Sequence, residues 1–101
     1  MSALQDIIKE EYYRLSELKE KYVRELEMLP KGSISKKRIR NHDYYYLAYR
    51  SEDKVKFAYL GKEGSLKLKK TKEQLNRRKE IELKLKQVNT SLKELSKSVG
   101  E

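Results

Sequence analysis

Runs of basic side chains and of tyrosines lie close together in the middle of the chain, and this pattern defines the chemistry that the sequence offers. Cations contact phosphate, and aromatic rings stack on bases or sugars, so the pattern predicts a nucleic-acid-binding surface. The predicted phosphate contacts are Lys36, Lys37, Arg38, Arg40, Arg50, Lys54, Lys56 and Lys62. Tyr44 and Tyr46, which share a face of an extended strand, complete the predicted site.

The charge distribution along the chain supports this interpretation. Lys and Arg number 25 against 16 Asp and Glu, a net charge of +9. Residues 1–29 carry five basic and seven acidic side chains, residues 30–65 nine and four, and residues 66–101 eleven and five. A basic excess confined to part of a chain is typical of phosphate binding, although a merely solvated surface is the alternative. In the last segment we predict a secondary basic patch of Lys69, Lys70, Arg77 and Arg78.

Residues for other kinds of chemistry are scarce. The chain has no cysteine, which excludes a thiolate nucleophile, and its one histidine, His42, is too little for a metal site. The tyrosine triplet matches the nucleophiles of DNA-nicking enzymes in residue type, but no site for the activating metal or cationic cluster is visible. We therefore predict a protein that is not an enzyme and that has no metal and no cofactor.

Length and composition limit the architecture. A chain of 101 residues is long enough for one domain, which we predict over residues 1–101. Charged residues make up 41% of the chain, against about 25% in ordinary domains, so its hydrophobic core is thin. The N-terminus has no signal-peptide features, and the longest apolar run, Tyr44 to Tyr49, is too short to span a membrane. We expect a soluble, cytoplasmic protein that does not bind membranes.

Hydrophobic periodicity predicts an α+β fold in which two long helices flank a three-stranded antiparallel meander. Apolar residues that recur every seven positions predict a helix at 1–29. A heptad seam from Ile81 to Val99 predicts a second helix at 65–99, which begins at Ser65 or at the capping box of Thr71. We expect the helices to pack as an antiparallel, coiled-coil-like pair and to mediate a homodimer.

The three strands are predicted at about 33–40, 43–50 and 54–60, and the register of the second hairpin decides which rings share a face. If Arg50 pairs with Val55, one face collects Tyr44, Tyr46, Val55, Phe57 and Tyr59. If the loop has three residues, Tyr45, Leu47 and Tyr49 take the place of the two even-numbered tyrosines. In both registers one face can pack on helices while the other displays tyrosines among cations.

Residues 29–62 resemble a known family. The resemblance rests on Leu29-Pro30-Lys31-Gly32-Ser33-Ile34, Tyr44-Tyr45-Tyr46-Leu47-Ala48-Tyr49-Arg50, Lys54-Val55-Lys56 and Tyr59-Leu60-Gly61-Lys62. These elements are similar to a widespread family of small uncharacterised prokaryotic proteins and to an element that begins some insertion-sequence transposases. The strand order is also similar to the three-stranded arm-binding domains of tyrosine recombinases, which bind DNA through their sheet. The family's turn usually has two glycines before Lys-Val, where this chain has Glu52-Asp53.

The resemblance implies the fold and favours DNA over other partners. The prediction is therefore a non-enzymatic DNA-binding module that contacts duplex DNA and is linked to mobile elements or transcription. RNA is the less favoured nucleic acid. The alternative is a helical interaction or assembly protein with no nucleic-acid role, in which the basic charge only aids solubility.

Overall fold

The computed structural model describes residues 3–99, which form two helices and three strands. The first helix, α1, spans Ala3–Met28, and the last, α2, spans Leu66–Val99. Between them lie β1 at Ser33–Ile39, β2 at His42–Ser51 and β3 at Lys54–Lys62. The predicted α+β architecture is confirmed, and every strand boundary falls within two residues of its predicted position.

The chain divides into two compact units. Residues 29–79 form one, called here the sheet unit, which contains the three strands and the first part of α2. Residues 1–28 and 80–101 form the other, called here the helical unit, which contains α1 and the rest of α2. Neither of the described helices has an apolar stretch long enough to cross a membrane.

The sheet is an antiparallel meander in the order β1-β2-β3, joined by two hairpins with two-residue loops. The loop residues are Arg40 and Asn41 in the first hairpin and Glu52 and Asp53 in the second, and all four have positive φ, between 50° and 67°. This backbone matches the right-handed twist of the strands but normally selects glycine or asparagine. Asn41 is one of these favoured residues, whereas Glu52 adopts the same backbone without the conformational freedom of glycine.

The second hairpin adopts the register in which Arg50 pairs with Val55. The first of the two predicted face assignments is therefore the one observed. A register shift interrupts the β2–β3 ladder, because Tyr46 pairs with Tyr59 whereas Tyr45 pairs with Gly61. Such a bulge changes which face the following residues occupy.

The first part of α2 packs against one face of the sheet, called here the packed face. Leu60 on β3 and Leu68 on α2 are almost completely buried, and Leu68 keeps only 2% of its surface exposed. Thr71 is also buried inside this helix, so its capping-box sequence does not mark a helix start. One continuous helix from Leu66 to Val99 is observed, so the start at Ser65 is the one of the two predicted starts that the structure adopts.

Ser65 joins the end of β3 to the beginning of α2. Its Oγ accepts the backbone N–H of Leu68 at 3.1 Å, as an N-cap does, and donates to the carbonyl of Leu60 at 2.9 Å. Gly61 makes room for this hydroxyl, because a Cβ at Gly61 would lie 2.7 Å from Ser65 Oγ. The Ser65 side chain thus connects the beginning of α2 to the end of β3.

The helical unit buries Leu15 of α1 together with Ile81 and Val88 of α2, and Ile81 is fully buried. Leu92 shares a surface groove with Tyr12 and other residues of α1. In the sheet unit, Arg78 of α2 donates to the carbonyl of Leu29, which follows the end of α1, at 3.2 Å. α2 therefore passes the end of α1 first and its middle later, so the helices run antiparallel. The residues of the predicted heptad seam are buried or half-buried from Ile81 to Leu95. The side chain of Val99 lies outside the described residues.

Candidate nucleic-acid interface

The sheet face that α2 does not cover is called here the open face. Strand alternation and the observed register determine its members. They are Ser33, Ser35, Lys37 and Ile39 on β1, His42, Tyr44, Tyr46, Ala48 and Arg50 on β2, and Val55, Phe57, Tyr59 and Lys62 on β3. Tyr44 and Tyr46 therefore share a face with Phe57 and Tyr59, which is the first of the two groupings that the sequence left open.

Four aromatic rings form a cluster on the open face. The centroids of Tyr46 and Tyr59 lie 5.4 Å apart and those of Tyr44 and Tyr59 lie 6.4 Å apart, with the rings tilted by 57° and 44°. Phe57 and Tyr59 keep 50% and 49% of their surface exposed. Aromatic rings exposed together in one place are typical of a surface that contacts a partner.

Two lysines lie over this cluster. The Nζ of Lys37 is 4.7 Å from the ring centre of Phe57 and 5.2 Å from that of Tyr46. The Nζ of Lys62 is 5.7 Å from the ring centre of Tyr44. These distances are within the range of cation–π attraction, and both lysines remain exposed to solvent. The cations and rings therefore form one surface.

No carboxylate belongs to the open face as the described register defines it. Asp43 alternates onto the packed face, and Glu52 and Asp53 occupy the loop at the end of the second hairpin. Glu63 follows β3 and accepts a hydrogen bond from the Tyr45 hydroxyl. The lysine and arginine side chains among the described members of this face are Lys37, Arg50 and Lys62, so its local charge is positive.

Tyr45 occupies the packed face, apart from the other two tyrosines of the triplet. The Nζ of Lys72 on α2 lies 5.6 Å from its ring centre. The hydrogen bond to Glu63, followed by partial desolvation and the negative charges of Glu63 and Asp43, raises the pKa of the Tyr45 phenol above its usual value of about 10. Tyr45 thus stabilises the packing between sheet and helix and is not part of the open face.

The structure divides the predicted phosphate contacts between two faces and a loop. All eight predicted cations are exposed. Lys37, Arg50 and Lys62 lie on the open face beside Tyr44 and Tyr46. Arg40 occupies the first hairpin loop, and the remaining four belong to the packed-face side, namely Lys36, Arg38, Lys54 and Lys56. The predicted set is therefore not a single surface.

The predicted secondary patch on α2 also divides. Lys69 and Lys70 are exposed, whereas Arg77 and Arg78 are half-buried. The guanidinium of Arg78 is engaged with the Leu29 carbonyl. Arg78 therefore holds the chain where α1 ends, which is a structural role that the sequence pattern did not reveal.

Phe57 and Tyr59 were not among the predicted site residues, although they are the most exposed rings of the open face. The available signal was the strand register, because Arg50 opposite Val55 places both residues beside Tyr46. Charge runs directed the prediction towards β1 instead, and a charge run on a strand always distributes over both faces.

These features define a small α+β protein in which a three-stranded meander packs one face on a helix and displays an aromatic, basic face on the other side. The chain belongs to the family that shares the domain of unknown function DUF6788, whose family model matches residues 7–70. That match includes most of α1, the whole sheet and the first residues of α2. The chain matches none of the curated proteins and none of the solved structures with which it was compared.

Proposed function

We propose that this protein is a non-enzymatic DNA-binding module whose binding surface is the open face of the sheet. The observation that carries the proposal is the combination of four neighbouring rings and three cations on a face with no carboxylate among its described members. The cations neutralise phosphates and the rings contact bases or sugars. The similarity of residues 29–62 to an element of insertion-sequence transposases supports DNA as the polymer and a link to mobile elements.

Charge reversal on the two sides of the same sheet tests this proposal. Lys37, Arg50 and Lys62 are changed to Glu in one variant, and Lys36, Lys54 and Lys56 are changed to Glu in its control. Both variants change the net charge equally, and all six side chains are exposed. Binding to mixed-sequence DNA, supplied in duplex and in single-stranded form, is measured at several salt concentrations by fluorescence anisotropy.

The open-face variant is expected to bind more than about tenfold more weakly. The slope of log affinity against log salt should fall by about three, one for each phosphate that is no longer neutralised. The control variant should be weakened much less, because its cations act only through long-range attraction. If both variants bound DNA equally weakly, the open face would not be the binding surface. No affinity of the parent protein for either form of DNA at moderate salt would contradict the proposal as a whole.

A second candidate is an assembly protein that acts through the helical unit, and exposed apolar side chains on α1 favour it. Ile7, Tyr13 and Met28 each expose more than half of their surface. A homodimer that covers such residues would form a four-helix bundle. Sedimentation equilibrium tests this candidate: Tyr13→Asp is expected to shift a dimer to monomer, whereas a parent protein that is monomeric at high micromolar concentration excludes the candidate.

A further inference from the structure

The rings of the open face bear on the form of nucleic acid that the face accepts. Phe57 and Tyr59 are neighbours on one side of β3, two residues apart, and each exposes about half of its surface. The centre of the face, where these rings lie with Tyr46, offers mainly ring surface, and its hydrogen-bond donors are the tyrosine hydroxyls and the ammonium group of Lys37. Ring surface of this kind contacts the flat faces of bases rather than their edges.

The flat faces of bases are covered in a duplex. Each base pair stacks on its neighbours, so a protein reads paired DNA through hydrogen bonds to base edges from side chains such as Arg, Asn and Gln. The open face has Arg50 towards one end, Ser33 and Ser35 on β1 at the edge opposite β3, and no Asn or Gln among its described members. Side chains suited to reading base edges are therefore scarce where the exposed rings are concentrated.

The spacing of the rings adds an independent argument. Residues two apart on a strand are separated by about 6.7 Å. Successive bases in one strand of B-form DNA are separated by about 3.4 Å along the helix axis. Two successive bases can each reach one ring, Phe57 and Tyr59, only if the strand is extended and its bases are unstacked.

We infer that the open face binds a single-stranded, unstacked segment of nucleic acid, with bases on Phe57 and Tyr59 and phosphates at Lys37 and Lys62. The inference rests on the proposed nucleic-acid function and replaces the duplex expected from the charge pattern. Lys37 lies against Phe57 and Tyr46, so its ammonium group can neutralise a phosphate without leaving the rings. DNA and RNA strands share this chemistry.

The test compares four probes of equal length with the full chain: an oligothymidylate, an oligouridylate, a mixed-sequence single strand and the same sequence as a duplex. Affinities are measured by fluorescence anisotropy at two salt concentrations. The single strands are expected to bind at least about tenfold more tightly than the duplex. The ratio of the thymidylate and uridylate affinities reports whether DNA or RNA is preferred.

Single substitutions on β3 separate stacking from charge. Phe57→Ala should weaken single-strand binding by about five- to a hundredfold, as expected for the loss of one stacked base. Phe57→Tyr should retain most of the affinity. Val55→Ala, on the same strand and face and similarly exposed, is the matched control and should bind like the parent. Far-ultraviolet circular dichroism establishes that each variant is folded.

The outcomes distinguish this inference from the proposed function. A preference for duplex, or single-strand affinity that Phe57→Ala leaves unchanged, would overturn single-strand recognition while DNA binding by the open face stands. Failure of the parent protein to bind any of the four probes would overturn both. Tighter single-strand binding that falls with Phe57→Ala and not with Val55→Ala supports the inference.

Discussion

The sheet unit and the helical unit are almost equal in length but differ sharply in charge. Residues 29–79 contain sixteen basic and five acidic side chains, a net charge of +11. Residues 1–28 and 80–101 contain nine basic and eleven acidic side chains, a net charge of −2. The whole basic excess of the protein therefore belongs to the unit that carries the open face.

The boundary between the units also divides the charge of α2. Residues 66–79 carry seven basic and one acidic side chain, whereas residues 80–101 carry four of each. The basic excess of residues 66–101 therefore lies entirely in residues 66–79, the first part of the helix. One continuous helix thus supplies a basic packing partner to the sheet and a nearly neutral partner to α1.

The units differ in backbone as well. Every residue with positive φ among those described lies in the sheet unit, including Gly32, where a Cβ would come within 2.2 Å of the Ala48 carbonyl oxygen. The helical unit consists of regular helix. We expect both units to depend on side-chain packing, and the sheet unit to depend on its turns and its helix cap as well.

The largest effects are expected from the most buried side chain of each unit. Leu68→Ala in the sheet unit and Ile81→Ala in the helical unit should each lower the free energy of unfolding by about 2–5 kcal/mol, through reduced burial and a residual cavity. Leu66→Ala and Leu83→Ala are controls on the same helix, because these leucines are 84% and 60% exposed. Urea unfolding followed by circular dichroism measures all four. An Ile81→Ala variant as stable as Leu83→Ala would mean that the helical unit adds no core of its own.

Ser65→Ala tests the link between sheet and helix and should destabilise by about 1–2 kcal/mol, because the helix loses its N-cap and the Leu60 carbonyl loses a donor. Ser91 begins a similar capping-box sequence with Glu94 but lies inside α2. Ser91→Ala is therefore the matched control and should change stability by no more than a few tenths of a kcal/mol. Equal effects of the two substitutions in thermal unfolding would contradict the assignment of the cap.

Glu52→Gly should stabilise the protein by about 0.5–1 kcal/mol, since Glu52 has a φ of 52° that favours glycine. Lys54→Gly, in the adjoining strand, should destabilise the protein by a similar amount. Lys54 has no positive φ for glycine to relieve, and glycine loses more conformational entropy on folding. Denaturant midpoints measure both variants. A destabilised Glu52→Gly variant would show that the Glu52 side chain contributes more than its backbone costs.

The smallest effect concerns Tyr45 and pH. Its pKa in the folded state is raised above about 10 by the hydrogen bond to Glu63, so the stability it contributes is complete below pH 10 and is lost as pH rises through the raised pKa. Alkaline titration at 295 nm is compared for the parent and Tyr45→Phe, and the difference should titrate above pH 10. Glu63→Gln, which removes the negative charge, should move that difference back towards 10. If the difference between the parent and Tyr45→Phe titrated with a midpoint at about pH 10, the hydrogen bond between Tyr45 and Glu63 would be contradicted.

Much of the fold could be predicted from the sequence because its signals are local. The seven-residue spacing of α1, the unbroken heptad seam of α2 and the hairpin-sized gaps between the strands each depend on neighbouring residues alone. They placed every strand boundary within two residues and correctly favoured one long second helix. The identity of the aromatic face was left as two alternatives, because a shift of one residue exchanges the two faces.

The membership of the open face was decided by tertiary structure. Without the bulge at Tyr45 and Tyr46, Lys62 would lie opposite Asp43 on the packed face. The bulge instead places it opposite Tyr44 on the open face. Leu60 has no partner in the β2–β3 register at this bulge, and its carbonyl instead accepts a hydrogen bond from Ser65, which lies beyond the strand. The cations and rings were therefore determined by sequence, whereas their arrangement into one surface depended on pairing and packing between elements.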